Sequence, residues 1–182
     1  MTARYIPLRV HSEYSVISGL GNISALVETA KDHDFPAFAL TDECNAFSAI
    51  KFYKEARAAK IKPIFGTDLL LQIDKSDKKP VRFTILCQNQ QGFKSLTYLI
   101  SKAYLESMRV NNIPLIQKSW LTKASCEGLI ALSGGGEGEI APYLLKGELA
   151  EAKKILAPWL EAFDNDRFYI EISRVGARDE EA

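Results

Sequence analysis

Ionisable side chains follow each of the first three strands that the sequence predicts. His11 and Glu13 come after the first strand, Asp42 and Glu43 after the second, and Asp68 after the third. In α/β chains, the carboxyl ends of strands are where binding and catalytic sites are built. We therefore expect these five side chains to converge at one edge of a sheet.

Carboxylates beside a histidine are suitable ligands for a divalent cation. Magnesium takes oxygen ligands, whereas zinc and manganese also accept imidazole nitrogen. A bound ion would lower the pKa of a water molecule and let that water attack a phosphate ester. A structural interpretation competes with this one. Asp42 could cap the helix that follows it, and Glu13 could be exposed in a turn.

Two further features bear on this chemistry. Arg9 lies two residues before His11, so both side chains point to the same side of a strand, and the guanidinium would repel a metal ion. The glycine-rich residues 133–138 could offer backbone N–H groups to an anion. This loop lacks the lysine of a phosphate-binding loop and contains Glu137, so a tight turn is the favoured interpretation.

The composition limits the class of protein. Lys and Arg together number 23, as do Asp and Glu, so the formal charge is zero and creates no global attraction to nucleic acid. The three cysteines form no Cys-x-x-Cys zinc pair, and the two histidines exclude a multi-histidine metal centre. We find neither a signal peptide nor an apolar run of membrane-spanning length, so we expect a soluble cytoplasmic protein.

Strand and helix patterns alternate along the chain, as in parallel βα units. The predicted strands are residues 5–10, 37–41, 63–65, 69–73, 81–87, 129–133 and 168–172. The predicted helices are residues 23–32, 47–59, 93–106, 140–146 and 149–163, with a short one around 119–124. Asn22 is expected to cap the first helix. Residues 74–79 read as a charged turn and 110–114 as irregular. Residues 174–182 resemble the start of another helix, so we expect one domain, 1–182, that is cut before it ends.

Several runs of residues resemble those of a known family. They are residues 8–15, 40–42, 51–53, 61–64, 92–93, 99–104 and 128–134, together with Gly19, Asn45 and Gly66. Over essentially the whole chain they resemble the PHP (polymerase and histidinol phosphatase) domain, in the form found at the N-terminus of bacterial DNA polymerase III alpha subunits. The resemblance implies an α/β fold, a distorted seven-stranded βα barrel with metals at its strand ends, truncated here before the closing strands.

The resemblance also implies that the metal site of the family is eroded in this chain. The corresponding positions are Arg9 and His11 for an opening H-x-H, Ser18 for an aspartate, Asp42 and Glu43 for an aspartate–histidine pair, Asp68 for a glutamate, Arg82 for a histidine and Gly135 for a cysteine. Two replacements place a cation where a ligand should be. We therefore expect no cofactor and no catalytic residue in this domain. If the site were still active, its metal would be manganese, zinc or magnesium.

Such a degenerate domain is implied to be a non-catalytic scaffold of a replicative polymerase. Its implied partner is the separate proofreading exonuclease subunit, while the polymerase carboxylates and most DNA contacts lie in the downstream chain. The alternative is a residual metal-dependent phosphoesterase or exonuclease that uses the five side chains named at the outset. Since buried carboxylates need partners, Arg9 and Arg82 are expected to pair with Asp42, Glu43 or Asp68.

Overall fold

A mixed sheet of seven strands organises the protein in the computed structural model, which describes residues 5–73, 79–107, 109–110, 112–164 and 166–172. The strands are β1 (Ala37–Leu40), β2 (Lys62–Gln72), β3 (Val81–Cys87), β4 (Arg109–Val110), β5 (Ile113–Gln117), β6 (Leu129–Leu132) and β7 (Phe168–Tyr169). The helices are α1 (Ile23–Asp32), α2 (Ala49–Ala58), α3 (Gln90–Glu106), α4 (Ala141–Leu145) and α5 (Leu149–Ala162). The predicted α/β class is confirmed.

The sheet contains both parallel and antiparallel pairs of strands. The strand order is β4-β5-β2-β3-β6-β7, and β1 pairs with the first half of β2. Strands β1 and β5 are parallel to β2, whereas β3 is antiparallel to both β2 and β6. The expectation of parallel units alone was therefore wrong. The connection from Gln72 to Val81 is shorter than the dozen or so residues that a parallel crossover needs.

Local signals account for the first helix and the third strand. Asn22 accepts a hydrogen bond from the backbone N–H of Ala25 at 2.8 Å, and α1 has the predicted bounds. The bounds of β3 also match the prediction. Buried side chains of α1, α2 and β1 form one apolar cluster. A larger cluster joins α3 and α5 to β2, β3 and β6.

Four predicted segments differ in kind from the structure. Residues 5–10 form no regular strand, although the Pro7 carbonyl accepts a hydrogen bond from Ala39 of β1 and the Val10 carbonyl accepts one from Thr41, which follows β1. The two strands expected at 63–65 and 69–73 are one continuous strand, β2. The segment 110–114, expected to be irregular, contributes to the antiparallel pair β4–β5. The predicted helix at 119–124 is only a 3₁₀ turn, Lys118–Trp120. Residues 74–78 of the charged turn and residues 174–182 lie outside the described residues.

The sheet of described strands does not close into a barrel. A cleft lies next to the first and last described segments of the chain, which are partly exposed to solvent. Residues of both segments, Leu8 and Ile172 among them, line this cleft of about 1650 Å³ together with Ile64, Leu86 and Ile130 of the sheet. Arg9, His11 and Arg82 line the same cleft. Within the described ranges, none of the helices is both long enough and apolar enough to cross a bilayer.

Candidate functional site

Asp68 is the centre of a buried ionic cluster. It lies within β2, opposite Thr84 of β3, and its backbone forms a parallel bridge with Glu43. Its Oδ2 atom is 2.7 Å from Arg9 Nε, 2.8 Å from His11 Nε2 and 3.2 Å from Arg82 Nη1. Its Oδ1 atom accepts a hydrogen bond from the Thr84 hydroxyl. Four side chains from two segments, residues 9–11 and β3, thus converge on one carboxylate.

Arg82 connects Asp68 to two further carboxylates. Its Nη2 and Nη1 atoms donate to Glu43 Oε1 at 3.0 and 3.1 Å. Its Nε atom donates to Glu137 Oε2 at 2.9 Å. Arg82 lies in β3 and Glu137 in the glycine-rich loop, so this guanidinium joins the sheet to that loop. The expected pairing of Arg82 with strand-end carboxylates is confirmed for Asp68 and Glu43.

Arg9 and His11 reach Asp68 from the segment that runs beside β1. Their common orientation, predicted from their spacing, is confirmed because both contact Asp68 Oδ2. A carboxylate accepts hydrogen bonds, so His11 Nε2 carries the proton, and His11 Nδ1 lies 3.0 Å from the Ser18 hydroxyl. Arg9 Nη1 also lies 3.7 Å from Glu171 Oε1.

Within the cluster, the opposite charges stabilise one another's ionised forms. Burial disfavours the charged form of Asp68, but the hydrogen bond from His11, the charge of Arg9 and the hydrogen bond from Thr84 outweigh burial, so the pKa of Asp68 lies below its usual value. Burial also opposes the charge of Arg82, yet Asp68 and Glu43 raise the pKa of Arg82 above its usual value. The ion pairs therefore persist at neutral pH.

The lowered pKa of Asp68 predicts acid sensitivity. The stabilisation is fully present above the unfolded-state pKa, near 3.8, and is lost as the pH falls through the lower pKa of the folded state. We expect the free energy of unfolding to decrease steeply below about pH 4, and to decrease less steeply in the Asp68→Asn variant. Urea titrations at a series of pH values measure both slopes. Parallel pH profiles for the two proteins would contradict this assignment.

Asp42 forms a separate site built from serines. Its buried carboxylate accepts hydrogen bonds from the Ser12 N–H at 2.7 Å and from the hydroxyls of Ser12, Ser15 and Ser48, each at 2.8 Å in its shorter contact. Within the described part of the chain, Asp42 has no Lys, Arg or His at ion-pair distance. Of the three carboxylates considered as partners of Arg9 and Arg82, Asp42 is therefore the one that neither arginine contacts among these residues. It also caps no backbone N–H of α2, although Ser48 precedes that helix directly.

Glu13 and Gly135 lie apart from the convergence at Asp68. Glu13 is exposed and pairs with Lys51 of α2 at 3.0 Å. Gly135 begins a 3₁₀ turn, Gly135–Glu137, after Gly134, which has a φ of +82°. The favoured tight-turn interpretation of this loop agrees with that geometry. Of the five side chains expected to converge, His11, Glu43 and Asp68 share the ionic cluster, whereas Glu13 and Asp42 do not.

Three members of the cluster were not predicted from the sequence. Thr84 could have been found, because it lies two residues after Arg82 and shares its face of β3. Glu137 was considered only as a group that repels phosphate. Glu171 follows β7 and carries no local signal that connects it to Arg9. Its Oε2 atom is buried and has no hydrogen-bond partner among the described residues.

This set of side chains does not fit a divalent cation. Asp68 Oδ2 already faces three nitrogen donors, and two of them belong to guanidinium groups whose positive charge is permanent. Over the ranges that the structure describes, no three His, Cys, Asp or Glu side chains are grouped so as to hold a metal ion.

Comparisons with known proteins agree with this architecture. The family model of the PHP domain matches residues 7–175. DNA polymerase III subunit alpha of Pseudomonas aeruginosa is 40% identical over 181 residues, and that of Escherichia coli K12 is 40% identical over 179 residues. These matches cover 100% and 98% of this chain but 15% of each relative. The chain thus spans a small part of the length of the relatives it matches.

Among solved structures, an amidohydrolase from Chromobacterium violaceum, with bound sulfate and no metal, has a TM-score of 0.45. It is 18% identical, and the match covers 56% of this chain and 33% of that chain. The sequence match is the stronger finding, because it extends from the segment of Arg9 and His11 to beyond Glu171. The chain belongs to the PHP domain family.

Proposed function

We propose that this PHP domain is a non-catalytic scaffold of a DNA polymerase III alpha subunit, where it docks the proofreading exonuclease subunit during replication. Similarity to alpha subunits along the whole chain supports the parent protein. The replacement of metal ligands supports the scaffold role. The DNA polymerase activity and most DNA contacts would belong to the rest of the longer subunit, and further strands from it would pair with the open edges of the sheet.

One observation carries this proposal: the position expected to bind metal is filled by cations of the protein itself. Asp68 lies 2.7 Å from Arg9 and 3.2 Å from Arg82, at distances typical of a direct ion pair. A metal ion would have to displace both guanidinium groups and leave them next to its own charge, which is electrostatically costly. The cluster instead connects the first segment, β2 and β3, so its role is to hold the barrel mouth together.

A metal titration tests the loss of catalysis. We expect isothermal calorimetry with manganese or zinc to show no stoichiometric binding, and a generic phosphodiester to remain unhydrolysed. Arginine charges at the site oppose binding of the metal ion, and without that ion no water molecule is activated. Stoichiometric binding together with turnover that disappears in His11→Ala would instead establish a residual phosphoesterase and overturn the scaffold proposal.

Capture of the partner tests the docking role. The full-length alpha subunit should retain the exonuclease subunit in a pull-down, and His11→Ala should retain it equally well, since the imidazole lies in the buried cluster. A subunit without the PHP domain serves as the control and should capture less exonuclease. Undiminished capture by that control would show that another part of the subunit binds the partner.

A further inference from the structure

An exposed apolar surface lies beside the cleft. Residues 13–20 adjoin α2, because Asn45 Nδ2 donates to the Tyr14 carbonyl at 3.1 Å and Lys51 pairs with Glu13. These two segments, together with Phe47 just before α2, carry five large apolar side chains that are each at least 69% exposed: Val16, Ile17, Leu20, Phe47 and Ile50. Clusters of exposed apolar side chains usually mark binding sites. We call these five residues, with the outer side of α2, the α2 surface.

The loop that presents these side chains is held in a defined conformation. The Ser15 carbonyl accepts hydrogen bonds from the N–H groups of Ser18 and Gly19 at 3.0 and 2.7 Å. A Cβ at Gly19 would lie 1.7 Å from the Ser12 carbonyl oxygen, so only glycine allows this close approach. The hydroxyls of Ser12 and Ser15 donate hydrogen bonds to the buried carboxylate of Asp42, which fixes this end of the loop. The backbone that carries Val16, Ile17 and Leu20 is therefore ordered before any partner arrives, which reduces the entropic cost of binding.

Basic side chains continue the same face of α2. Ile50, Tyr53, Lys54 and Arg57 follow one another at helical spacing and are exposed, whereas Phe52 and Ala56 are buried on the inner face. Among the described residues, neither Lys54 nor Arg57 has a carboxylate at ion-pair distance. The outer face thus has an apolar half and a cationic half without counter-charges.

We propose that the α2 surface binds an amphipathic acidic peptide segment of a partner protein. Its apolar side chains would cover Ile17, Leu20 and Ile50, and its Asp or Glu side chains would pair with Lys54 and Arg57. This inference rests on the proposed docking function and names the surface that performs it. Apolar contact supplies most of the affinity, and charge complementarity orients the segment.

Other classes of ligand fit this surface less well. Nucleic acid and anionic membranes attract proteins through excess positive charge, and this chain has a formal charge of zero. The inner face of α2 is packed in the core through Phe52, so the helix is not free to lie in a bilayer. Phosphate groups would also leave the five apolar side chains uncovered.

Paired substitutions test the proposal by bio-layer interferometry with the purified exonuclease subunit. We expect Ile17→Asp with Leu20→Asp, and separately Lys54→Glu with Arg57→Glu, each to weaken binding by about tenfold or more. Matched control pairs are Leu145→Asp with Leu149→Asp, and Lys146→Glu with Lys153→Glu, since these residues are also exposed and lie on α4, α5 and their connection. Controls should bind like the wild type. Urea midpoints verify that each variant folds.

The outcomes separate this inference from the docking function. If all variants bind the exonuclease subunit equally well, the proposal that the α2 surface is the binding site is wrong, whereas the docking function itself is not contradicted. If the wild type does not bind the exonuclease, the docking function is wrong. The α2 surface is then tested with a fluorescent synthetic helix that has leucines on one face and glutamates on the other. About tenfold weaker peptide binding by both surface pairs supports the inference. Unaltered or absent peptide binding overturns it, as does capture of anionic vesicles or single-stranded DNA that depends on Lys54 and Arg57 alone.

Discussion

Replacing Asp68 by alanine is expected to lower the free energy of unfolding by about 3 kcal/mol. The side chain of Asp68 is fully buried, and its removal leaves Arg9, Arg82 and the imidazole of His11 next to one another without their common acceptor. Breaking a buried ion pair costs about 3–5 kcal/mol. The lower end applies because Arg9 keeps 30% of its side chain exposed and water can solvate it in part. Urea denaturation followed by circular dichroism measures the loss.

Two further variants identify the origin of this loss. Glu13→Ala removes a carboxylate from an exposed pair and should scarcely change the urea midpoint. Among the described residues, Arg9 keeps only a long contact of 3.7 Å with Glu171 once Asp68 is removed, so combining Asp68→Ala with Arg9→Met should recover part of the stability. If Asp68→Ala unfolds at the same urea concentration as Glu13→Ala, the ionic cluster does not stabilise the fold.

Asp42→Ala is expected to lower the free energy of unfolding by a similar amount, about 3 kcal/mol. The physical reason differs, because the partners of this carboxylate are neutral donors and not cations. Removing it leaves the buried N–H of Ser12 and three buried hydroxyls without their acceptor. Hydrogen bonds to a charged acceptor are also stronger than neutral ones. Differential scanning calorimetry and urea titration both measure the change.

Single serine variants serve as the reference for the stability loss expected in Asp42→Ala. Ser15→Ala or Ser48→Ala removes one donor and leaves the carboxylate with the others, so each should cost only about 1 kcal/mol. Hydrogen exchange should also become faster at residues 12–20 in Asp42→Ala, since their anchor is lost. An Asp42→Ala protein as stable as Ser48→Ala would show that the carboxylate is dispensable.

Elements with strong local signals were predictable from the sequence. The bounds of α1 follow from the Asn22 cap and from the spacing of Ile23, Val27 and Ala30, all of which are buried. The bounds of β3 follow from apolar residues that alternate with Arg82 and Thr84 and from two more apolar residues at its end. In both cases the residues that decide the structure are neighbours in the sequence.

The middle of β2 shows where local signals fail. Gly66, Thr67 and Asp68 read as a break between two short strands, yet each pairs in register with a residue of β3. Gly66 is required there by packing, since a Cβ would lie 2.5 Å from the Ile85 carbonyl oxygen. The antiparallel partner, and not local propensity, makes this stretch one strand.

The candidate site was likewise predictable from the sequence only in part. The residue types at Arg9, His11 and Arg82 are properties of the sequence, and their resemblance to the family pattern predicted that cations stand where metal ligands would be expected. The sequence could not decide which carboxylate each cation contacts. Glu137 and Glu171 are separated from Arg82 and Arg9 by a large part of the chain, and no periodic pattern connects them.

The sequence by itself determined the family, the α/β class and the charged groups at the mouth of the barrel. Only the tertiary structure decided that Asp68 forms ion pairs with the cations, whereas Asp42 accepts hydrogen bonds from serine hydroxyls. The register of β2 against β3 places Thr84 opposite Asp68, and hydrogen bonds to β1 place the segment of Arg9 and His11 above it. These contacts join residues distant in the chain, so they follow from packing and not from local sequence.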